Sequence, residues 1–382
     1  MIPYGRQWID DEDINAVIDV LKTDFITQGS RIREFESLLA EYLGAKYAVV
    51  FNSGTSALHA AYFAVGLEQG DEFITSPLTF VATSNAGLFL GARPVFCDVE
   101  MDTGNLNVEL LEEKITSRTK LIVPVHYAGH PCDMEKVKEV ADKYGLHIVE
   151  DACHALGAKY RNFKIGSCKY SDATVFSFHP VKHITTGEGG AVLTNRQDIY
   201  EKLLMFRNHG ITKDKRKFIN HWEGEWYYEM HFLGFNYRMS DIQATLGISQ
   251  LKKLDKFVKK RRKIAKTYNE AFRSNFYFEI PPEKDYVYHA YHLYPIKVKD
   301  REKRKEVFDL LRRKGLGVQV HYIPVYFHPF YQKLGYFRGE CPVAEEFYER
   351  EISLPIYPRM TDKDVYYILE IVEGVFREIY EN

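Results

Sequence analysis

From residue 46 to residue 195 the chain repeats one pattern, a short apolar run, a turn, and a stretch with helical periodicity. The runs include KYAVVF, DEFIT, ARPVF, KLIV, HIVED, DATVFSF and GGAVL. Runs that are apolar throughout, without polar alternation, suit strands buried on both faces, and helices between them supply the crossovers that parallel strands need. An α/β fold is expected, with a mostly parallel sheet and helices on both faces. The 382 residues, 45% of them hydrophobic, are enough for one large and one small domain. Near residue 265 the pattern changes to a smaller α+β unit: a strand in YHLYPIKV, a helix in REKRKEVFDLLRRKG, a strand in VQVHY and a closing helix over 362–379. Further helices are expected over 11–22 and 31–43, the latter capped by Gly44, near 107–115, and over a long stretch from Ile242 to a lysine-rich end at Lys263.

Several function classes are disfavoured. The net charge of −2 gives no global field for nucleic acid, and the basic cluster between Lys213 and Lys217 is short and interrupted by Asp214. The start, MIPYGRQWIDDED, has no apolar signal core, and no run of eighteen apolar residues occurs, so no membrane association and a cytoplasmic location are expected. The five cysteines lack CxxC spacing. His126 and His130 flank a glycine-bearing turn without a third ligand, and no metal site is expected. A nicotinamide fold would share the strand–helix pattern, but neither G-x-G-x-x-G nor G-x-x-x-x-G-K-[ST] is present.

Three turns carry chemistry. Lys182 stands between two apolar strands, where dehydration would lower the amine pKa and free its lone pair for an aldehyde. Asp151 ends a buried strand, the place where α/β proteins turn side chains toward a ligand crevice, and could hold a ring nitrogen protonated. In NSGTSAL, Gly54, Thr55 and Ser56 start a helix whose free N–H groups and hydroxyls suit a phosphate. Each residue alone also reads as ordinary: a solvated loop lysine, a helix cap, a helix start.

In order along the chain, FITQG, NSGTSAL, SPLTFVATSNA, EDACHALGA, SFHPVKHITTGEGG, RNHG, GFNYRMSDIQAT and VHYIPVYFHPFYQ resemble the DegT/DnrJ/StrS family of sugar aminotransferases, which are fold-type I pyridoxal-phosphate enzymes. The resemblance covers essentially the whole chain. It implies a large cofactor-binding domain over 1–250, with a seven-stranded sheet and an N-terminal substrate segment, and a small α+β domain over 251–382. It implies pyridoxal 5'-phosphate bound through Lys182, Asp151 at its ring nitrogen, His154 at its phenolic oxygen and Phe80 stacked on the ring. Gly54, Thr55 and Ser177 would hold the phosphate, with Asn236 reaching it from the other subunit of a homodimer with shared sites. Tyr4, Thr27, Arg238, His321 and Tyr322 would contact the substrates, a nucleotide-linked keto-sugar and L-glutamate. HALG, ITTGEGGAV and VHYIPVY are similar to the subgroup that aminates C4 of UDP-linked 4-keto-6-deoxy-N-acetylhexosamines on the pseudaminic acid route. Another nucleotide, another carbon (C3 or C4), or a non-catalytic relative remain as alternatives. Deoxygenating relatives carry histidine where this chain has Lys182, which favours transamination.

Overall fold

The structure, a computed structural model, describes residues 1–381. Its centre is a seven-stranded sheet in the order Tyr47–Phe51, Gly190–Thr194, Ala173–Ser177, His147–Asp151, Thr119–Val123, Glu72–Thr75, Arg93–Phe96. Every pairing from Ala173–Ser177 to Arg93–Phe96 is parallel, and Gly190–Thr194 is antiparallel to both its neighbours. Alternate residues of each strand feed opposite layers. Ala48 and Val50 pack with Phe35 and Leu39 of the helix Ser30–Leu43, while Val49 and Phe51 pack with Ala57 and Ala61 of the helix Gly54–Ala64. Both faces are therefore covered, and the apolar runs are apolar for that reason. The helix Ser30–Leu43 ends on Gly44 at φ 79°, a left-handed cap open to a residue without Cβ.

The second core gathers on a three-stranded sheet, Phe278–Glu279, Tyr294–Val298 and Glu351–Leu354, covered by the helices Arg304–Arg313 and Asp362–Tyr380. The long helix Leu254–Phe272 crosses between the cores, with Leu254, Phe257 and Val258 in the first and Ile264, Ala265, Tyr268 and Phe272 in the second. Ile2–Pro3 pairs with Leu316–Gly317, so the N-terminal segment is tied to the second core.

Three expected elements differ. The long helix is two, Asp241–Leu251 and Leu254–Phe272, and Lys253 at the break pairs its ammonium with Asp10 and Asp13 at the start of the N-terminal helix. The segment near 107–115 forms two 3₁₀ turns, Val108–Leu110 and Glu112–Lys114. VQVHY makes one strand bridge, Gln319 to Ser353. Beyond it, side chains replace the ladder: the Glu351 carboxyl accepts the His321 N–H at 2.7 Å, and the Tyr127 hydroxyl donates to the His321 carbonyl. His126 is structural, with Nε2 2.8 Å from Glu150 and Nδ1 accepting the Cys132 N–H at 3.0 Å. Within the basic cluster, Lys215 is paired with Glu225, Arg216 with Asp214 and Lys217 with Glu201.

Candidate active site

A cavity of about 510 Å³ opens at the carboxyl ends of the parallel strands, where α/β sheets place their ligands. Register brings its walls together, since Asp151 pairs with Val175, two residues before Ser177. From Ser177 the chain passes through a turn that carries Lys182, then returns as Gly190–Thr194. That return strand pairs on its other side with Tyr47–Phe51, which leads directly into the helix start at Gly54. Asp151, Ser177, Lys182, Gly54 and Thr55 all line the cavity, with His154, Phe80, Tyr4, His321 and Tyr322. Sequence positions from 4 to 322 thus meet in one place.

Each wall is fixed by its own bonds. Asp151 is buried, and its carboxylate accepts from the Thr83 hydroxyl at 2.7 Å and from the Cys153 N–H at 3.2 Å. Thr83 is in turn 2.7 Å from the Thr79 hydroxyl. The helix Gly54–Ala64 starts with a capping box in which Ser53 and Ser56 satisfy each other's N–H groups. The Ser56 hydroxyl is committed to that cap and to Asn52, which leaves Gly54 and Thr55 as the open end. A Cβ on Gly54 would stand 2.9 Å from Ser177 Cβ, so the glycine keeps the helix end and Ser177 within reach of one small ligand group. Phe80 is 60% exposed, a ring open to the cavity rather than a core residue.

Histidines gather around the lysine: His154 lines the cavity, and His292 lies outside its lining. Lys182 Nζ lies 3.5 Å from His292 Nε2, and His292 packs on His154 with ring centroids 4.4 Å apart. His154 Nε2 is 2.9 Å from the Tyr322 hydroxyl, while its Nδ1 is buried without a partner among the described residues. Burial lowers the pKa of Lys182, helped by the charge of Arg261, and holds His154 and His292 well below the usual histidine range. The amine is thereby moved toward its neutral, nucleophilic form, and both imidazoles are neutral.

Thr27, Asn236 and Arg238 lie outside the cavity lining. Thr27 is exposed and bridges to Ser240. Asn236 is exposed beside the phosphate-type turn, where the Asn52 N–H donates to the Tyr237 carbonyl at 2.9 Å. Arg238 donates to Asn208 at 2.7 Å and has no carboxylate partner among the described residues. Sequence reading passed over Thr83, Cys153 and His292. Thr83 lay within a quoted motif, whereas His292 stands one residue before an apolar run and carries no local signal.

The lining suits a flat, anionic, nitrogen-containing ring. The glycine cradle at a helix N-terminus would suit a phosphate, the Asp151 carboxylate would suit a cationic ring nitrogen, His154 Nδ1 has no partner among the described residues and the Phe80 ring is open to stacking. The sequence matches the DegT/DnrJ/EryC1/StrS aminotransferase family over residues 7–373. It is 47% identical to an uncharacterized protein of Methanocaldococcus jannaschii, covering 100% of this chain and 98% of that one. It is 40% identical to the UDP-4-amino-4,6-dideoxy-N-acetyl-beta-L-altrosamine transaminase of Campylobacter jejuni, covering 99% and 98%. The structure of Helicobacter pylori PseC, an aminotransferase involved in the biosynthesis of pseudoaminic acid, superposes with a TM-score of 0.92 at 39% identity, covering 99% of each chain. The chain belongs to the DegT/DnrJ/EryC1/StrS aminotransferase family and is a pyridoxal-phosphate-dependent sugar aminotransferase.

Proposed function

We propose that the protein transfers an amino group from L-glutamate to C4 of a UDP-linked 4-keto-6-deoxy-N-acetylhexosamine, in a pathway of the pseudaminic acid type, as a homodimer with shared sites. The observation that carries the catalytic half of this reading is the Lys182 amine, lowered in pKa by burial and set in one cavity with Asp151 and the Gly54 helix start. The sugar half rests on similarity at 40% identity to the Campylobacter jejuni transaminase.

When bound, pyridoxal phosphate supplies an aldehyde and an electron-withdrawing ring that stabilises charge at the carbon losing its proton. The chain supplies orientation and proton transfer. Gly54, Thr55 and Ser177 hold the phosphate at the helix N-terminus, joined by Asn236 from a second copy of the chain. Asp151, fixed by Thr83 and Cys153, keeps a proton on the ring nitrogen. Phe80 sets the ring plane, and neutral His154 bonds the ring's phenolic oxygen. Lys182 would hold the aldehyde and, once freed as a neutral amine, would carry the proton from the donor's α-carbon to the carbon that had borne the aldehyde. In the second half-reaction the same amine moves the proton in reverse, at the sugar carbon. Tyr4, His321 and Tyr322 face the sugar, and Thr27 and Arg238 complete the substrate contacts from the exposed edge, Arg238 suiting a carboxylate.

The test is an assay of purified protein with L-glutamate and the UDP-linked 4-keto sugar, following 2-oxoglutarate and the amino-sugar by mass spectrometry. Amino-sugar formation with the new nitrogen at C4, absent in Lys182→Ala, supports the reading. 2-Oxoglutarate without amination of this sugar, together with turnover of another nucleotide-linked keto-sugar, overturns the substrate assignment.

A further inference from the structure

The imidazole of His321 lines the cavity, but its chemistry is set by residues that do not. His321 Nδ1 lies 2.9 Å from Ser353 Oγ, and Ser353 Oγ is hydrogen-bonded to Glu351 Oε1. The other Glu351 oxygen accepts the His321 backbone N–H, so both ends of the relay are anchored on one residue. With Nδ1 committed, Nε2 is the nitrogen left to the cavity.

Glu351 is fully buried, and no lysine or arginine nitrogen lies within 4 Å of its carboxyl among the described residues. The charged and titratable groups around it are engaged elsewhere. Lys297, directly across the sheet register, sends its ammonium to Glu279 at 3.1 Å, and the Arg304 guanidinium donates to the Glu349 carbonyl at 3.1 Å. Tyr127 donates to the His321 carbonyl, and the Tyr322 hydroxyl is held by His154. A carboxyl buried without a counter-ion holds its proton, and burial pushes Glu351 up to about 8. His321 itself is kept neutral, down to about 3, by burial.

A serine between a carboxyl and an imidazole transmits hydrogen-bond direction. When Oε1 carries a proton it donates to Ser353, Ser353 donates to Nδ1, and the His321 proton sits on Nε2 as a donor to the cavity. When Glu351 is ionised, Ser353 donates to it and accepts from Nδ1–H, and Nε2 becomes an acceptor. We propose that Glu351 is a positioning residue which, through Ser353, presents His321 Nε2–H to the keto oxygen of the sugar, a group that can only accept. This rests on the reading of the cavity as a keto-sugar site and adds the device that recognises the ketone.

The experiment is ¹⁵N NMR of the histidine-labelled, cofactor-bound protein between pH 6 and 10, with keto-sugar KM measured over the same range. The expected wild-type result is a His321 Nε2–H tautomer at pH 7 that converts to Nδ1–H near pH 8, with KM for the keto-sugar rising about tenfold per pH unit above the step and KM for glutamate unmoved by it. Glu351→Gln, whose amide oxygen must accept the His321 N–H and so turns its NH2 to Ser353, holds the Nε2–H tautomer and a flat KM throughout. Ser353→Ala cuts the relay while keeping the carboxyl, and removes the step. An Nδ1–H tautomer at pH 7, or a step that persists in Ser353→Ala, overturns the proposal. Because the NMR readout needs no sugar, a tautomer step without keto-sugar turnover supports the relay and counts against the substrate assignment alone.

Discussion

Lys182 Nζ and His292 Nε2 stand 3.5 Å apart, joining the cofactor-side turn to the strand that leads into the second core. Both are positioned by the same buried side chain: Arg261 donates to the His292 carbonyl at 3.1 Å and to the Val181 carbonyl at 3.4 Å. His292 gives the free lysine amine an acceptor to rest on, and an acceptor favours the charged form. His292→Leu removes it, so the acidic limb of the kcat profile, which follows ionisation of the amine, moves to lower pH by about one unit, the equivalent of about 1.4 kcal/mol. His292→Gln restores part of the shift. An acidic limb that stays in place in His292→Leu would show that the imidazole only fills space.

Lys182→Ala should lower transamination turnover by at least about a thousandfold, since both attachment to the cofactor and proton transfer are lost together. Its circular dichroism should remain that of the folded enzyme, because among the described residues the side chain makes no hydrogen bond beyond the one to His292. Residual turnover within tenfold of wild type would remove the lysine from the mechanism.

Arg261 is a buried cation held, among the described residues, by carbonyls alone, those of Tyr291, His292, Ile356 and Val181. Burial lowers its pKa to about 9. Arg261→Met would leave these carbonyls unpaired where the two cores meet. Each buried unpaired group costs about 1–3 kcal/mol, so a loss on the order of 3 kcal/mol or more is expected in urea unfolding. Arg261→Lys, retaining one donor group, should recover part of it. Unchanged unfolding of Arg261→Met would mean that water reaches these carbonyls.

Gly54→Ala tests the phosphate cradle. The added methyl would meet Ser177 Cβ at 2.9 Å and Ser177 Oγ at 3.1 Å, closer than a Cβ tolerates, so the helix end and Ser177 must part. The dissociation constant for pyridoxal phosphate should rise about tenfold or more, a loss of at least about 1.4 kcal/mol. Alanine is otherwise favourable in a helix compared with glycine, which offsets part of the strain this movement puts on the cofactor-free protein. Equal cofactor affinity in the two proteins would place the phosphate elsewhere.

Glu351 also makes stability pH-dependent. Its folded-state pKa of about 8 lies above the ordinary value near 4.5, so between those values the folded protein binds a proton that the unfolded chain does not. The contribution is fully present below about pH 4.5, declines as pH rises, and is gone above about 8. Urea unfolding at pH 5 and pH 8 should show wild type losing on the order of 4 kcal/mol more than Glu351→Gln over this window. Parallel pH profiles for the two proteins would mean that Glu351 ionises freely in the folded state.

The sheet was legible in sequence because its strands are buried on both faces, which leaves unbroken apolar runs such as Tyr47–Phe51 and His147–Asp151. Asp151, Lys182 and Gly54 could be placed in sequence because they stand at a strand end, in the turn between two strands and at a helix start, where local pattern gives position, whereas Ser177 came from the family resemblance. The breaks came where long-range bonds decide. The break at Lys253 coincides with ion pairs to Asp10 and Asp13, more than two hundred residues away, and the irregular backbone at His321 is bonded to Tyr127 and Glu351. His292 and Glu351 reach the site region from the second core, and nothing in their local sequence marks them. Tyr322, expected from the resemblance to contact the sugar, lines the cavity, but its bond to His154 is a tertiary fact.

The position of Asn236 leads to a prediction about assembly. It is exposed, outside the cavity of its own chain, on a segment that runs beside Asn52 at the entry to the phosphate-type turn. If Asn236 serves the site of a second copy, Lys182→Ala and Asn236→Ala are defects that reside in different chains of the same site. Each homodimer is then weak or inactive. In a mixed dimer, one site combines the intact Lys182 of the Asn236→Ala chain with the intact Asn236 of the Lys182→Ala chain, and the other site carries both defects. Unfolding and refolding the two variants together in equal amounts makes about half of the dimers mixed, each with one working site, so about a quarter of wild-type activity should return. The amount recovered should follow the binomial dependence on mixing ratio, with its maximum at equal amounts. Activity that stays at the average of the two variants would place Asn236 in the service of its own chain, and the site would then be complete within one subunit.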